Sequence, residues 1–397
     1  MLIGIVGKAN VGKSTFFKSV TLADILIANY PFATIDPNRG FGFVRIECVD
    51  KEFDVQCTPR LGYCQDHTRF VPVEVIDVAG LVPGAHLGKG KGNKFLDDLR
   101  PADVLIHVVD IAGSTKEKGE PVEVGSYDPA EDIKFLEVEL DMWYVGILKK
   151  GWDKFARRTQ QEQTEISHAL AKQLSGLNVT EDMIKDVVKK LDLDPTKVVS
   201  WTEDDLMHIA MELRKITKPL VIAANKIDLP GAAQNFERIK KEFPDYVIIP
   251  CSSEAELALK EAAKQKLIEY LPGDNSFKTL KEMNEKQQTG LKFIKENILT
   301  RFNSTGVQAV LNTAVFDVLQ RIVVFPGGIN NLQDSKGRTL PDCFVLPKGS
   351  TALDFAYKIH TDLGDKFIRA IDVKTKKTIG KEHIVQHRDV IEIITRK

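Results

Sequence analysis

The chain has 397 residues, with 55 Lys and Arg against 56 Asp and Glu, five cysteines and 43% hydrophobic residues. This length suggests two or three domains, and the balanced charge excludes a wholly basic nucleic-acid binder. No apolar run approaches the roughly 18 residues that a membrane span needs, and so few cysteines exclude a disulfide scaffold, so we expect a cytoplasmic protein that makes no membrane contact.

Six short apolar runs, separated by helix-sized spacers, predict the strands of an α/β fold. Because the runs lack polar alternation, they are typical of a mostly parallel sheet with helices on both faces. They are Leu2–Val6, Phe41–Ile46, Val71–Ile76, Val104–Val109, Leu220–Ala224 and Val247–Pro250.

The first strand runs into a loop that matches G-x-x-x-x-G-K-[ST] and opens a predicted helix. Its glycines let successive backbone N–H groups face a phosphate, and Lys13 is expected to reach the β- and γ-phosphates. The context predicts a P-loop NTPase domain. The candidate phosphate ligands are Gly7, Asn10, Val11, Gly12, Lys13, Ser14 and Thr15.

A second motif, Asp77-Val78-Ala79-Gly80, closes the third strand and fits D-x-x-G. We expect Asp77 and the Ser14 hydroxyl to hold Mg²⁺, and the Gly80 N–H to sense the γ-phosphate. Thr34 is the candidate switch threonine that meets both the metal and the γ-phosphate. Lys13, Thr34 and Gly80 are therefore the candidate catalytic residues.

Asn225-Lys226-Ile227-Asp228 follows the fifth strand and matches N-K-x-D. The Asp228 carboxylate can accept two hydrogen bonds from guanine N1–H and the 2-amino group, a donor pair that adenine lacks, so GTP is predicted over ATP. Asn225 is expected to brace the loops, and the Lys226 stem to lie over the base. Ser252 and Ser253, after the last strand, are candidates to offer backbone N–H groups to guanine O6.

The interval between the fourth and fifth strands is too long for one crossover and carries helical patterns, including the capping-box candidate Thr202-Glu203-Asp204-Asp205. We predict a nucleotide-binding domain over 1–127 and 214–272, interrupted by a helical insertion at 128–213. A helical, polar connector over 273–320 and a net-positive C-terminal domain over 321–397 follow.

Several longer strings resemble the Obg family of GTPases. They are Asn29-Tyr30-Pro31-Phe32, the continuation of D-x-x-G as Leu81-Val82-Pro83-Gly84-Ala85-His86, and Gly88-Lys89-Gly90-Lys91-Gly92. The helical insertion points to the YchF-like branch. The tail string Leu346-Pro347-Lys348-Gly349-Ser350-Thr351-Ala352-Leu353-Asp354 is similar to a TGS domain, for which the resemblance implies a β-grasp-like fold.

This resemblance covers about 1–272 and 321–397 and implies a ribosome- or RNA-associated regulatory GTPase that cycles between GTP and GDP. Many YchF-like proteins have lost the guanine-reading aspartate and prefer ATP. Because Asp228 is present here, GTP remains the prediction, and a YchF-like ATPase is the alternative. A small-molecule kinase and an RNA-binding adaptor with a vestigial nucleotide site are further alternatives, disfavoured by N-K-x-D and by the intact Lys13 and Asp77.

Ras-like GTPases place a glutamine directly after D-x-x-G to orient the attacking water, and Leu81 stands there instead. Slow intrinsic hydrolysis is therefore expected. GTPases with an asparagine at the position of Asn10 often coordinate K⁺, so a K⁺ site at Asn10 is a hypothesis, with bracing of the switch as the other interpretation.

The cysteines and the basic residues give two weaker signals. Cys57, Cys64 and His67 surround a predicted hairpin tip, where a disulfide, a zinc site and two unlinked thiols are all compatible with the spacing. Basic residues in the Gly-rich switch and in the tail are candidates for RNA or ribosome contact. These are Lys89, Lys91, Lys94, Lys374, Lys376 and Lys377.

Overall fold

The protein is described by a computed structural model covering residues 1–21, 39–78, 80, 84 and 98–396. Some residues singled out in the sequence lie outside this part of the chain. They are Thr34, Leu81, Lys89, Lys91 and Lys94.

Within the described residues, seven strands form one sheet in the order β2-β4-β1-β5-β6-β7, with β3 paired to β4. The pairs from β4 through β7 are parallel, and every residue of the central strands β1, β5 and β6 is buried. The predicted strands and the mostly parallel sheet are thus confirmed. The strands are β1 (Leu2–Val6), β2 (Arg39–Glu47), β3 (Tyr63–Gln65), β4 (Thr68–Asp77), β5 (Val104–Asp110), β6 (Leu220–Asn225) and β7 (Val247–Pro250).

One edge of this sheet differs from the expectation. β2 and β3 both run antiparallel to β4, and the β3–β4 turn contains Asp66 and His67 with positive φ angles. The predicted hairpin tip was therefore misplaced, because Cys64 lies within β3 and Cys57 precedes it.

The two faces of the sheet bury different helices, as predicted. Ile3 and Ile5 pack with Phe16 of helix α1 (Lys13–Thr21), whereas Leu2 and Val6 share a core with the helices that lie between β5 and β6. Those helices are α2 (Ala130–Lys149), α3 (Trp152–Gln161), α4 (Ile166–Gln173), α5 (Glu181–Lys190) and α6 (Glu203–Thr217).

The predicted capping box begins α6. The Thr202 hydroxyl accepts a hydrogen bond from the Asp205 N–H, and the Asp205 carboxylate accepts one from the Thr202 N–H. Each orphan amide of the first turn that is satisfied in this way stabilises the helix by roughly 1 kcal/mol.

After β6 come α7 (Ala232–Glu242) and α8 (Ser253–Lys264), and then the short antiparallel pair β8 (Ile268–Glu269) and β9 (Lys278–Thr279). The helices that follow, in the region predicted to be a polar connector, have a more apolar packing face than expected. Val307, Val310 and Leu311 are buried in the core that contains Ile3 and Ile5. The helices are α9 (Glu285–Ile294), α10 (Thr300–Phe302) and α11 (Val307–Asn312), with π-helical turns at Lys295–Leu299 and Thr313–Val318.

The C-terminal part of the chain builds a second sheet in the order β11-β10-β14-β12-β13. A capping box at Thr351 and Asp354 starts its helix. No helix within the described ranges is long and apolar enough to cross a bilayer. The elements are β10 (Arg321–Pro326), β11 (Phe344–Pro347), α12 (Ala352–Ile359), α13 (Thr361–Asp365), β12 (Phe367–Asp372), β13 (Lys377–Ile379) and β14 (Val390–Thr395).

Candidate nucleotide site

The loop between β1 and α1 has the backbone that a phosphate cradle needs. Gly7 and Gly12 have φ angles of 150° and 94°, and Asn10 has φ 62°. A Cβ at Gly12 would lie 2.3 Å from Asn225 Nδ2, so only glycine fits there. The first turn of α1 carries no acidic residue, so its N-terminal N–H groups and helix dipole favour an anion.

Lys13, Ser14 and Asp77 converge at the start of α1. Asp77 ends β4 beside β1; its Oδ1 lies 3.0 Å from Lys13 Nζ, and its Oδ2 accepts a hydrogen bond from the Ser14 hydroxyl at 3.2 Å. A hydroxyl and a carboxylate are the hard oxygen donors that Mg²⁺ prefers, so this pair fits that ion. Gly80 lies beside the loop, where a Cβ on it would stand 3.5 Å from the Ala9 nitrogen.

Asn225, at the end of β6, joins three segments. Its Nδ2 donates to the Val11 carbonyl at 2.8 Å, while its Oδ1 accepts hydrogen bonds from the Ser253 N–H at 3.0 Å and the Ser253 hydroxyl at 2.9 Å. The side chain is 97% buried, so each of these bonds is protected from water. Asn225 therefore holds the phosphate loop, the N-K-x-D segment and the start of α8 together.

Lys226 is positioned by a residue that the sequence analysis missed. Its φ is 61°, and its Nζ donates to Asp110 Oδ2 at 2.9 Å and to the Ser114 hydroxyl at 3.1 Å. Asp110 ends β5 directly opposite Asn225 and is almost fully buried. The signal was present, because an acidic residue closes an otherwise apolar strand at the edge where Asp77 and Asn225 lie.

A cavity of about 570 Å³ opens between the phosphate loop and the N-K-x-D segment, a volume in the range of small-molecule sites. Asp228 is half-buried in its wall, and among the described residues no hydrogen bond or ion pair engages its carboxylate. The cavity thus brings most predicted ligands together. Its lining includes Asn10, Gly12, Lys13, Ser14, Thr15, Gly80, Asn225, Lys226, Asp228, Ser252 and Ser253.

Three predicted ligands, Gly7, Val11 and Asp77, are not among the residues that line the cavity. Gly7 and Val11 are buried within the loop, and Asp77 contacts Lys13 and Ser14. Glu254, next to Ser253 at the start of α8, lines the cavity and was not foreseen.

The expectation for the Ser252 and Ser253 amides needs a correction. The Ser252 N–H donates to the Thr305 carbonyl at 2.9 Å, and the Ser253 N–H donates to Asn225 Oδ1. Both residues line the cavity, but these two N–H groups already have acceptors inside the protein.

Asn10 and Lys8 connect the phosphate loop to the segment after β5. Asn10 Nδ2 donates to the Gly119 carbonyl at 2.9 Å, and Lys8 Nζ donates to the Thr115 carbonyl at 2.8 Å and lies 3.7 Å from the centre of the Tyr127 ring. Asn10 is therefore a bracing residue in this structure, although towards a different segment from the switch that the sequence suggested.

The basic residues of the tail separate into two kinds. Lys374 forms an ion pair with Glu52, with 2.8 Å between Nζ and Oε2. By contrast, Lys376, in the turn between β12 and β13, and Lys377, the first residue of β13, are exposed.

Comparison with known families places three matches along the chain. They are the 50S ribosome-binding GTPase family over residues 2–138, the G4 motif-containing domain of the YGR210-like Obg-like GTPases over 223–328, and the TGS domain over 336–395.

Individual proteins resemble the chain over nearly its whole length. A GTP-binding protein of Methanocaldococcus jannaschii is 51% identical over 99% of both chains. The ribosome-binding ATPase YchF of Pasteurella multocida is 28% identical, covering 98% of this chain and 97% of that protein. Among solved structures, a GTP binding protein from Pyrococcus horikoshii OT3 covers all of both chains with 39% identity and a TM-score of 0.80.

Proposed function

Since this chain belongs to the YchF-like branch of the Obg family of GTPases and ends in a TGS domain, we propose that it binds GTP and slowly hydrolyses it to GDP and phosphate. The observation that carries this proposal is Asp228. Its carboxylate, without a partner among the described residues, lines the same cavity as Lys13 and Ser14. A triphosphate on the loop would bring its base towards that carboxylate.

Base selection follows from the hydrogen-bonding capacity of Asp228. A carboxylate is an acceptor only, and guanine offers it two donors at N1 and N2. Adenine offers an acceptor at N1, which would leave the carboxylate facing a lone pair. A site built for hydrogen bonds rejects an analogue that leaves them unmade, so a strong preference for GTP is expected.

In the proposed reaction, a water oxygen attacks the γ-phosphorus while the bond to the β–γ bridging oxygen breaks. The loop N–H groups and Lys13 stabilise the negative charge that develops on the phosphate oxygens. Mg²⁺ would be held by Ser14 and Asp77, with Thr34 as a further proposed ligand, and would neutralise charge on the β- and γ-phosphates. Leu81 offers no atom to orient the water, so we expect slow turnover.

The test is competition between nucleotides for the purified protein. Wild-type protein should bind GTP in preference to ATP. Asp228→Asn should lose that preference and gain affinity for xanthosine triphosphate, because an amide N–H can donate to the 2-oxo group of xanthine. Asp245→Asn, which removes an exposed carboxylate before β7, is the matched control and should behave as wild type.

A second candidate is an ATPase with the same site, which the name of the Pasteurella multocida relative favours. The competition experiment separates the two. Tighter binding of ATP by wild-type protein would replace the GTPase proposal with the ATPase one. A GTP preference that survives Asp228→Asn would mean that a group other than Asp228 selects the base.

We further propose that the output is nucleotide-dependent binding to the ribosome or RNA. The proposal is supported by the ribosome-binding GTPase and TGS matches and by the exposed Lys376 and Lys377. Co-sedimentation with ribosomes should differ between GDP and a non-hydrolysable GTP analogue. The double variant Lys376→Glu and Lys377→Glu should co-sediment less with ribosomes, whereas Lys189→Glu on α5 should co-sediment as wild type does. Co-sedimentation that is the same with every nucleotide would count against a switch.

A further inference from the structure

Three cysteines and one aspartate meet between β2 and β4, away from the nucleotide site. Cys48 precedes a 3-10 turn (Val49–Phe53) that contains Asp50, while Cys57 follows that turn and Cys64 lies in β3. One sulfur or oxygen atom from each lies within 4.8 Å of those of the other three. Cys48 Sγ is 3.5 Å from Cys57 Sγ, and Cys64 Sγ is 3.7 Å from Asp50 Oδ2.

We propose that these four side chains bind one Zn²⁺ ion. A tetrahedral zinc ion with Zn–S distances of about 2.3 Å separates neighbouring sulfur atoms by about 3.8 Å, which is close to the spacing observed. Three sulfur ligands select zinc over Mg²⁺ or Ca²⁺, which prefer all-oxygen sites. Four protein ligands leave no open position, so the site is structural rather than catalytic.

The surroundings of the cluster suit an anionic metal centre. The Arg69 side chain is fully buried, and its Nη1 donates to Cys57 Sγ at 3.4 Å. The positive charge of this guanidinium would partly offset the negative charge that three thiolates and one carboxylate bring to a zinc ion.

The aspartate also has the support that metal-binding carboxylates have. Asp50 is fully buried, its Oδ2 accepts a hydrogen bond from the Cys57 N–H at 2.9 Å, and its Oδ1 lies 2.9 Å from His67 Nδ1. These contacts fix the orientation of the carboxylate and leave Oδ2 on the side of the sulfur atoms. Such outer partners usually change metal affinity by about 10- to 100-fold when removed.

The cluster lies where the C-terminal sheet docks. Arg69 donates from Nη1 to the Leu340 carbonyl at 3.2 Å and from Nη2 to the Pro341 carbonyl at 2.9 Å, and the Arg60 side chain pairs with Asp342 at 2.9 Å. Zinc would cross-link the segment from Cys48 to Cys64, which lies against the C-terminal part of the chain at these contacts. The ion would therefore stabilise the attachment of the tail rather than take part in nucleotide chemistry.

The test is metal binding by the full-length protein under reducing conditions. Elemental analysis should find one equivalent of zinc per chain, and Co²⁺ added to the chelator-stripped protein should give the thiolate charge-transfer and intense d–d bands of a tetrahedral sulfur-rich site. Cys57→Ser, Cys64→Ser and Asp50→Asn should lose the zinc or bind it weakly, and His67→Ala should lower the affinity by about 10- to 100-fold. Cys251→Ser is the matched control, because Cys251 is equally buried but outside the cluster.

The wild-type titration decides the matter even if a variant does not fold. Absence of the tetrahedral cobalt spectrum in the reduced, stripped protein would overturn the proposal. Zinc that remains in all three ligand variants would also overturn it. Isolation of the protein with Cys48 and Cys57 joined in a disulfide and without zinc would do the same.

Discussion

Lys8 of the phosphate loop forms an ion pair with Asp132 on α2, with 2.8 Å between Nζ and Oδ1. Both side chains are almost completely buried, and the same carboxylate oxygen accepts a hydrogen bond from the Tyr127 hydroxyl at 3.0 Å. The phosphate loop is thus attached to the first helix of the insertion by a charge pair that solvent screens much less than an exposed pair. The ion pair therefore fixes the position of the loop relative to α2.

Lys8→Met should destabilise the protein strongly, because it leaves Asp132 buried without its cation. Removing one member of a buried ion pair costs about 3–5 kcal/mol, whereas replacing both members with apolar groups is often nearly neutral. Lys8→Met combined with Asp132→Leu should therefore recover most of the free energy of unfolding, measured by urea denaturation. Lys134→Met, which removes an exposed lysine from the same helix, should change it little; an equal loss would refute the argument.

A second prediction concerns the pH dependence of stability. Burial, and secondarily the Lys8 charge, lower the pKa of His107 from 6.5 to about 3, so this imidazole is neutral in the folded protein. As pH falls below 6.5 the unfolded chain takes up a proton that the folded chain does not. The stability is fully present above that pH and is lost as pH falls towards 3, by about 2–3 kcal/mol at pH 4.5.

Asp132 acts in the opposite direction, so a variant is needed to isolate this effect. Burial raises the pKa of Asp132 from 3.8 to about 6, and its contribution to stability therefore decreases as pH rises between these values. The difference in unfolding free energy between pH 7.5 and 4.5 should be smaller in His107→Gln than in wild type by about 2–3 kcal/mol. Identical pH profiles would mean that His107 is not neutral in the folded protein.

The sequence predicted what depends on local pattern and missed what depends on contacts between distant segments. Unbroken apolar runs such as Leu2–Val6 identify buried strands, and motif spacing placed Lys13 and Asp228 at one edge of the sheet. The pairing of Lys8 with Asp132 joins residues far apart in the chain. β3 was missed because three residues are too few for a periodic pattern.

The same reasoning explains the error at the last strand. A loop after a strand of a parallel sheet usually offers free N–H groups, which is why the Ser252 amide was expected to meet the base. Its acceptor is the carbonyl of Thr305, which the helices after residue 285 bring to this edge. No local pattern around Ser252 reports that contact.

Asn225→Ala should weaken nucleotide binding without changing base preference. The substitution removes three hydrogen bonds and leaves the Val11 carbonyl and the Ser253 N–H without a partner, at a cost of about 1–3 kcal/mol for each buried group. Guanine and adenine nucleotides should both lose affinity, about tenfold or more, because the loops shift together. Calorimetric titration with GDP and ADP measures this; a loss confined to GDP would instead mean that Asn225 reads the base directly.

Ser14→Ala should make nucleotide binding less dependent on Mg²⁺. Among the described residues, Ser14 and Asp77 are the two whose side chains fit the ion. Removing the Ser14 hydroxyl therefore weakens the binding of Mg²⁺ and leaves the phosphate contacts of Lys13 in place. In wild type, chelation with EDTA should lower GTP affinity by about tenfold or more, and in Ser14→Ala the affinity should already be low and should change little. Thr21→Ala, which removes a hydroxyl from the other end of α1, is the control and should keep the EDTA effect. An undiminished effect in Ser14→Ala would exclude Ser14 as a ligand.

The last prediction tests K⁺ at Asn10. Because Asn10 has φ 62°, Asn10→Gly removes the side chain without straining the backbone, whereas alanine would strain it. If the side-chain oxygen Oδ1 of Asn10 binds K⁺, GTP turnover in wild type should be faster in K⁺ than in Na⁺ at equal ionic strength. Asn10→Gly, which lacks that oxygen, should remove the difference. Asn10→Asp, which keeps an oxygen at this position, should retain part of it.

The bracing role of Asn10 gives a different result in the same measurements. Loss of the hydrogen bond to the Gly119 carbonyl would loosen the loop and lower turnover equally in both salts. Equal wild-type rates in K⁺ and Na⁺ would end the cation hypothesis. A K⁺ effect that persists in Asn10→Gly would place the ion elsewhere on the phosphates. The ratio of the two rates, rather than either rate alone, therefore separates a cation ligand from a structural brace.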